Sequence, residues 1–301
     1  MKNVFYIAGP TAAGKSELAA DVAANLDAEI VSADAFQIYR GLDLLTAKPD
    51  AATLAKAPHH LLGSVPLEEE MNAEKFRSLA LHAIDDMQTR GKNPIVVGGS
   101  GLYLKALTHG LSDLPSGNTA LRAELNGLTL EELRSRLIQL DPPAPETINL
   151  KNRRRVLRAL EICLLTGKPV SEQRDKWKAA MSAAGIFVFR DREELYERIN
   201  DRVQRMFESG VLEEVCAVKG WSATAAKTIG LSEILELLAG RMSRAQGITQ
   251  IQQATRRYAK RQLTWFRGQS SFEPLNLSLI SHGKAVDWIT EKARLLFRAE
   301  G

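Results

Sequence analysis

The chain has 301 residues, a net charge of +4, and a composition that is 45% hydrophobic and 25% charged. It is long enough for a large buried core and for one main domain with a sizeable insertion. No run of about 18 uncharged apolar residues occurs, so no membrane span is expected, and the two cysteines and five histidines lack the spacing of a disulfide scaffold or a zinc site.

In chain order, the apolar run VFYIAG predicts a buried parallel strand rather than a secretory signal, because it leads straight into a glycine-rich loop. An amphipathic helix is expected from Lys15 to about Asn25. EIVSAD predicts a second strand, Asn72 to about Arg90 a helix rich in Ala and Leu, and NPIVVGG, near Pro94 to Gly99, a third strand. This alternation implies a parallel sheet covered on both faces. After Leu111 the sequence becomes turn-rich and then helical and polar, with DPPAP, Asp141 to Pro145, as a connector that cannot continue a helix. GIFVFRD, Gly185 to Asp191, predicts one more strand. Helices are expected over Glu193–Glu208, Val211–Val218, Leu231–Ala239 and Ser243–Phe266. Cys163 and Cys216 fall in helix-like apolar patterns and read as reduced core residues of a cytoplasmic protein. The fold class is therefore α/β: a P-loop NTPase-like core with a parallel sheet (1–112 and 185–301), a mostly helical insertion (113–184), and a helical C-terminal part.

GPTAAGKS matches G-x-x-x-x-G-K-[ST] in full and sits between a strand and a helix. Its residues Gly9, Pro10, Thr11, Ala12, Ala13, Gly14, Lys15 and Ser16 can turn backbone N–H groups around phosphate oxygens at a helix N-terminus. Lys15 supplies a cation for the terminal phosphate, and the Ser16 hydroxyl can ligate Mg2+. Many such loops hold ATP or GTP, with an Asp ending a neighbouring strand to hold the metal. Here NPIVVGGSGLY ends in Gly98, Gly99 and Ser100. The acid that ends an apolar strand is Asp34, inside the long polar segment SADAFQIYRGLDLLTAKP. At the C-terminal edge of a sheet beside a phosphate loop, Asp34 is placed to accept a proton from a bound nucleophile. The competing readings are an Asp that stands behind a metal or caps a helix.

Charge is uneven along the chain. Residues 1–150 carry 13 Lys+Arg against 19 Asp+Glu, whereas residues 151–301 carry 27 against 17. Between Arg241 and Ser270 there are seven basic residues and no acid. Such a block is a solvated helical face or a footprint for a polyanion such as RNA. Tyr258, Gln262 and Trp265 share one face at helical spacing, which suggests that the aromatics are core and the basic faces outward.

GPTAAGKS, SADAFQIYRGLDLLTAKP, NPIVVGGSGLYLKALTHGL, NRRRVLRALEI, LYERINDRVQRMFESGVLEEV and RRYAKRQLTWFRG together resemble the tRNA dimethylallyltransferase (tRNA isopentenyltransferase) family over roughly Val4 to Gly268. The resemblance implies transfer of a dimethylallyl group from dimethylallyl diphosphate to N6 of the adenosine 3′-adjacent to a tRNA anticodon. Asp34 would be the general base, and Arg202 with Thr11 would act on the diphosphate; Arg198, one turn before Arg202, is the competing arginine. It also implies tRNA contacts, through the anticodon stem-loop, from Asp34, Ala35, Phe36, Gln37, Ser100 and Arg122. Further contacts would come from Arg154, Arg155, Val156, Leu157 and Arg158, and from Lys260, Arg261, Gln262, Leu263, Thr264, Trp265, Phe266 and Arg267. A monomer is expected. The target base would be extruded into a channel reaching Asp34, with the prenyl donor entering from the other mouth. The chain departs from the family's usual pattern at Leu45 (a glycine), Gly63 (an aspartate) and Leu231 (a tyrosine). A small-molecule P-loop kinase, an adenylate isopentenyltransferase and a non-catalytic RNA-binding protein are the competing readings.

Overall fold

A computed structural model of the protein describes residues 3–111, 114–173, 183–269 and 271–298. The chain divides into two units, Met1–Thr108 with Ser182–Gly301, and His109–Met181.

The first unit is built on six parallel strands: β1 (Phe5–Ala8), β2 (Ala28–Ser32), β3 (His59–His60), β4 (Asn93–Gly98), β5 (Gly185–Phe189) and β6 (Glu273–Asn276). Their order is β3-β2-β4-β1-β5-β6. Successive side chains of a strand point to opposite faces, so each apolar strand feeds two cores. Tyr6, Val31, Val96 and Phe187 enter one. It is closed by Phe76, Tyr103, Val203 and Phe266 from helices Ala73–Thr89, Gly101–His109, Arg192–Glu208 and Arg244–Gln269. Phe5, Ile7, Ile30, Ile95 and Val188 enter the other, against helices Lys15–Asn25 and His282–Arg298. Leu18 is 1% exposed in that second core, where truncation to Ala costs about 2–5 kcal/mol. The sheet with helices on both faces is the α/β core expected from the alternation of elements. With β1 between β4 and β5, the loop that follows β1 lies at the middle of the sheet's C-terminal edge, beside the end of β4.

β2 stops at Ser32, short of the expected Asp34. Asp34 Oδ1 accepts the backbone N–H of Phe36 at 2.9 Å and of Gln37 at 3.2 Å, and this side-chain turn competes with the ladder and ends the strand. β3, β6 and helix His282–Arg298 stand where no element was expected. β3 is only two residues long. β6 contains Pro274 and lies at the sheet's edge, where the missing N–H of proline is tolerated. Near the opposite edge, the buried Glu29 of β2 accepts from Arg90 Nη1 at 2.6 Å and hydrogen-bonds His60 at 2.7 Å. The Arg90 hydrogen bonds outweigh burial and, with His60, hold the Glu29 pKa down at about 2.

The second unit contains helices Thr119–Asn126, Leu130–Leu140, Ala144–Thr147, Arg153–Thr166 and Val170–Gln173. Their apolar faces share a core of Leu125, Leu133, Leu137, Val156, Leu160 and Cys163. Thr129 and Glu132 form a reciprocal capping box that starts the second helix. Residues 113 and 174–182 of the expected insertion lie outside the described residues. Among the described residues no helix is long and apolar enough to cross a membrane.

Candidate active site

Gly9–Gly14 forms a loop between β1 and helix Lys15–Asn25, whose first two residues complete the Gly9–Ser16 motif. A Cβ at Gly9 would stand 2.2 Å from the Val188 carbonyl oxygen, so only glycine permits the approach of β5 there. Gly14 turns the loop into the helix at φ 95°, a conformation that glycine adopts without penalty. Three arginines surround the loop. Arg190 Nε donates to the Ala13 carbonyl at 3.0 Å, Arg198 Nε to the Ala12 carbonyl at 2.9 Å, and Arg202 Nη1 to Thr11 Oγ1 at 2.8 Å. Arg198 therefore braces the loop backbone, whereas Arg202 reaches a side chain expected to meet the diphosphate. Lys15 Nζ folds back onto the Pro10 carbonyl at 2.7 Å.

Loss of solvent dominates the electrostatics here. Burial lowers the Lys15 pKa to about 8 and the Arg202 pKa to about 10, with Asp34 opposing both shifts and neighbouring arginines adding to them. The Nε of Arg202 is buried and lacks a hydrogen-bond partner. A cationic donor left unpaired in this way is costly unless an anion arrives to meet it. Beside helix Lys15–Asn25, Gly14, Glu17, Arg190, Arg198 and His282 help line a cavity of about 220 Å³.

Helix Arg244–Gln269 joins the loop to the end of β4. Gln262 is 5% exposed; its Oε1 accepts the Thr11 N–H at 2.9 Å and its Nε2 donates to the Gly99 carbonyl at 2.8 Å. Ser100 Oγ accepts the Ala35 N–H at 2.9 Å and is bonded to Tyr258, whose phenol pKa is raised by burial first and by Asp34 second. Arg261 lies over the Tyr258 ring at 5.6 Å, and Phe36 faces the same ring at 6.4 Å. Thr11, Lys15, Asp34, Ser100, Gln262 and Arg202 thus belong to one contiguous site.

The segment after Asp34 is strapped down from several sides. Gln37 Nε2 donates to the carbonyls of Thr46 at 3.2 Å and Ala47 at 2.8 Å. Lys48 Nζ donates to Tyr39 O at 2.6 Å and Gly41 O at 3.0 Å. Glu214 accepts the N–H groups of Leu44 at 2.8 Å and Leu45 at 2.9 Å. Leu45, in the glycine's place, has an ordinary negative φ and is 5% exposed, so the loop needs no glycine there. Leu231 is likewise a core residue, 1% exposed, at the start of its helix.

Four residues expected on the tRNA face are buried, among them Ser100, whose hydroxyl is engaged by Ala35 and Tyr258. Val156 is 0% exposed in the core of the second unit, and Phe266 is 1% exposed and stacks on Phe187 at 5.3 Å. Gln262 spends its amide on the two backbone bonds above. Each is structural because its apolar or hydrogen-bonding surface is already used inside the protein. Leu157, Leu263 and Trp265 are half-buried, while Arg154, Arg155, Lys260, Arg261, Thr264 and Arg267 are exposed. Arg122 and Arg158 both bond the buried Glu161. Sequence reasoning missed the bracing by Arg190, the Glu214 strap and the bridging role of Gln262. The one available signal for the last was an amide on an otherwise apolar helix face.

Residues 37–269 match the family model for IPP transferase. A tRNA dimethylallyltransferase of Akkermansia muciniphila is 43% identical over 273 residues, covering 91% of this chain and 93% of that protein. The tRNA dimethylallyltransferase 1 of Citrifermentans bemidjiense is 44% identical over 272 residues, covering 87% of this chain and 88% of its own. Among solved structures, a tRNA delta(2)-isopentenylpyrophosphate transferase from Staphylococcus epidermidis superposes with a TM-score of 0.71 at 31% identity, over 98% of this chain and 99% of that one. A eukaryotic dimethylallyltransferase acting on tRNA gives a TM-score of 0.81 at 26% identity, over 97% of this chain and 80% of that one. A glycine-rich loop between a strand and a helix, a carboxylate just past the next strand and these matches along nearly the whole length place the chain in the IPP transferase family, a family of prenyl-transferring enzymes.

Proposed function

We propose that the protein transfers the dimethylallyl group of dimethylallyl diphosphate to N6 of the adenosine 3′-adjacent to a tRNA anticodon, forming N6-isopentenyladenosine and releasing diphosphate. The observation that carries this reading is the cradle itself: Lys15 and Arg202, both partly buried with their pKa values lowered by desolvation, and with a buried, unpaired Arg202 Nε–H, are close enough to Asp34 to feel its charge.

The adenine amine is a poor nucleophile because its lone pair is delocalised into the ring. As N6 attacks the allylic carbon, a C–N bond forms and the C–O bond to diphosphate breaks, its electron pair leaving on oxygen. Asp34 takes the N6 proton, as a general base within hydrogen-bond reach. Its Oδ1 is held by two backbone N–H groups, which fixes the carboxylate for that transfer. Lys15, Arg202 and the Thr11 hydroxyl meet the negative charge that accumulates on the leaving group. Arg202 and Thr11 are already bonded to each other, so little reorganisation is needed.

Mg2+ fits the donor set. The Ser16 hydroxyl, in the first turn of helix Lys15–Asn25, is an oxygen ligand for a hard cation that fills its shell with water and substrate phosphate oxygens. Among the described residues no cluster of His, Cys, Asp and Glu offers a competing metal site. When bound, Mg2+ would neutralise part of the diphosphate charge.

Incubation with labelled dimethylallyl diphosphate, Mg2+ and either unmodified tRNA or AMP tests the reading. Label is expected in tRNA, at the adenosine next to the anticodon. Label found only in AMP would move the acceptor to a free adenylate, and ATP hydrolysis with no labelled product would favour a kinase. Asp34→Ala is expected to lower turnover by about 10²-fold or more while tRNA still binds; near-normal turnover would remove Asp34 as the base.

A further inference from the structure

Glu161, on helix Arg153–Thr166, is 0% exposed. Its Oε1 accepts Arg122 Nε–H at 2.8 Å and the Asn118 backbone N–H at 2.8 Å. Its Oε2 accepts Arg122 Nη2–H at 3.0 Å and Arg158 Nη1–H at 2.6 Å. Arg158 also donates Nη2–H to the Pro115 carbonyl. The two arginine side chains stay partly open to solvent, at 43% and 33%. Burial alone would raise the Glu161 pKa, yet Arg122, Arg158 and the Asn118 N–H together hold it below the ordinary glutamate range.

Gly117 supplies a separate observation. A Cβ there would stand 2.2 Å from Nη2 and 2.3 Å from Cζ of Arg122. The guanidinium therefore lies flat on the backbone at a position where any side chain would displace it. A buried carboxylate flanked by arginines is a poor stability device, because apolar residues of similar volume commonly serve as well. What the arrangement does provide is a fixed plane. Arg122 uses Nε and Nη2 on Glu161 and keeps its Nη1 edge for an incoming acceptor.

We infer that Glu161 is a positioning residue for RNA binding: together with Gly117 it holds the Arg122 guanidinium in one orientation, alongside that of Arg158, to receive phosphate oxygens of the tRNA. The inference rests on the proposed tRNA-modifying function and on the Arg122 contact with tRNA that the sequence resemblance implies. It makes a prediction opposite in sign to simple charge counting. Glu161→Gln adds one positive charge to the unit, so long-range attraction alone would lower the KM for tRNA. Loss of the fixed plane raises it, and about a tenfold rise is expected, with the KM for dimethylallyl diphosphate and kcat at saturating tRNA unchanged.

Because Glu161→Gln disturbs a buried network, Gly117→Ala provides the second variant. Gly117 lies outside the positive-φ glycines, so alanine suits the backbone, every charge is kept, and only the end of the Arg122 side chain must move. It too is expected to raise the tRNA KM several-fold and to leave the donor KM unchanged, with circular dichroism confirming an intact helical unit. Arg122→Ala serves as the reference. If it raises the tRNA KM while Gly117→Ala and Glu161→Gln do not, positioning is overturned and the contact stands. If Arg122→Ala is itself silent, the contact fails and the inference falls with it.

Discussion

Lys15 is strongly altered in its chemistry by its surroundings. An ordinary lysine stays charged to about pH 10.5, but burial brings this one down to about 8, with Asp34 alone resisting the shift. In the free enzyme the ammonium needed to meet a diphosphate is therefore present below about pH 8 and lost above it. The kcat/KM for dimethylallyl diphosphate, which reports ionisations of the free enzyme, is expected to fall as pH rises through about 8. A profile that stays flat to pH 9.5 would show that Lys15 does not contribute its charge to donor capture. The same shift acts on folding with the opposite trend. Between about 8 and 10.5 the unfolded chain binds a proton that folded Lys15 has released, so this group's contribution to stability rises with pH across that window.

At the scale of elements, the helix Arg244–Gln269 has two duties that one sequence pattern had to encode. Its Phe266 and Ile251 pack into the core, and its Lys260, Arg261 and Arg267 stay outside. Periodicity made that division legible, and the phosphate loop's motif and the apolar runs of the central strands made those legible too, since each is a strongly marked signal. What it could not convey was the bridge at Gln262, because an amide among apolar neighbours looks the same whether it meets RNA or two backbone groups. The short β3 and the proline-bearing β6 lacked any run to read; pairing with neighbours in the sheet makes them strands. Asp34 was legible as the acid that follows the second strand, but the strand's early end was not, since it depends on where Oδ1 points. Replacing Gln262 tests the bridge. Gln262→Leu keeps the volume but leaves the Thr11 N–H and the Gly99 carbonyl unpaired, at about 1–3 kcal/mol each where water cannot reach them. Tm is expected to fall by roughly 2 °C or more. The KM for dimethylallyl diphosphate is expected to rise as Thr11 loosens beside Arg202. A lower Tm with an unchanged donor KM would make the bridge purely structural.

Across the whole molecule the charge is divided, and the division has a consequence for the acceptor. Residues 1–150 hold 13 basic against 19 acidic side chains, and residues 151–301 hold 27 against 17. The acidic excess therefore accompanies the loop proposed to bind an anionic donor, so on that proposal the cradle relies on local cations such as Lys15 and Arg202 rather than on a broad positive field. A polyanion of many phosphates responds instead to the basic excess. Helix Arg244–Gln269 concentrates it, with no acid between Arg241 and Ser270 to neutralise it. Each phosphate that such a surface neutralises releases counterions, so the logarithm of tRNA affinity should fall linearly with the logarithm of salt concentration. Lys260 is exposed and lies on that helix. Lys260→Ala is expected to reduce the steepness of that line by about 0.7–0.9, the share of one phosphate contact, and to leave the donor KM as it was. An unchanged slope, measured by tRNA binding from about 50 to 200 mM salt, would mean that this face of the helix is merely solvated and that the RNA is held elsewhere.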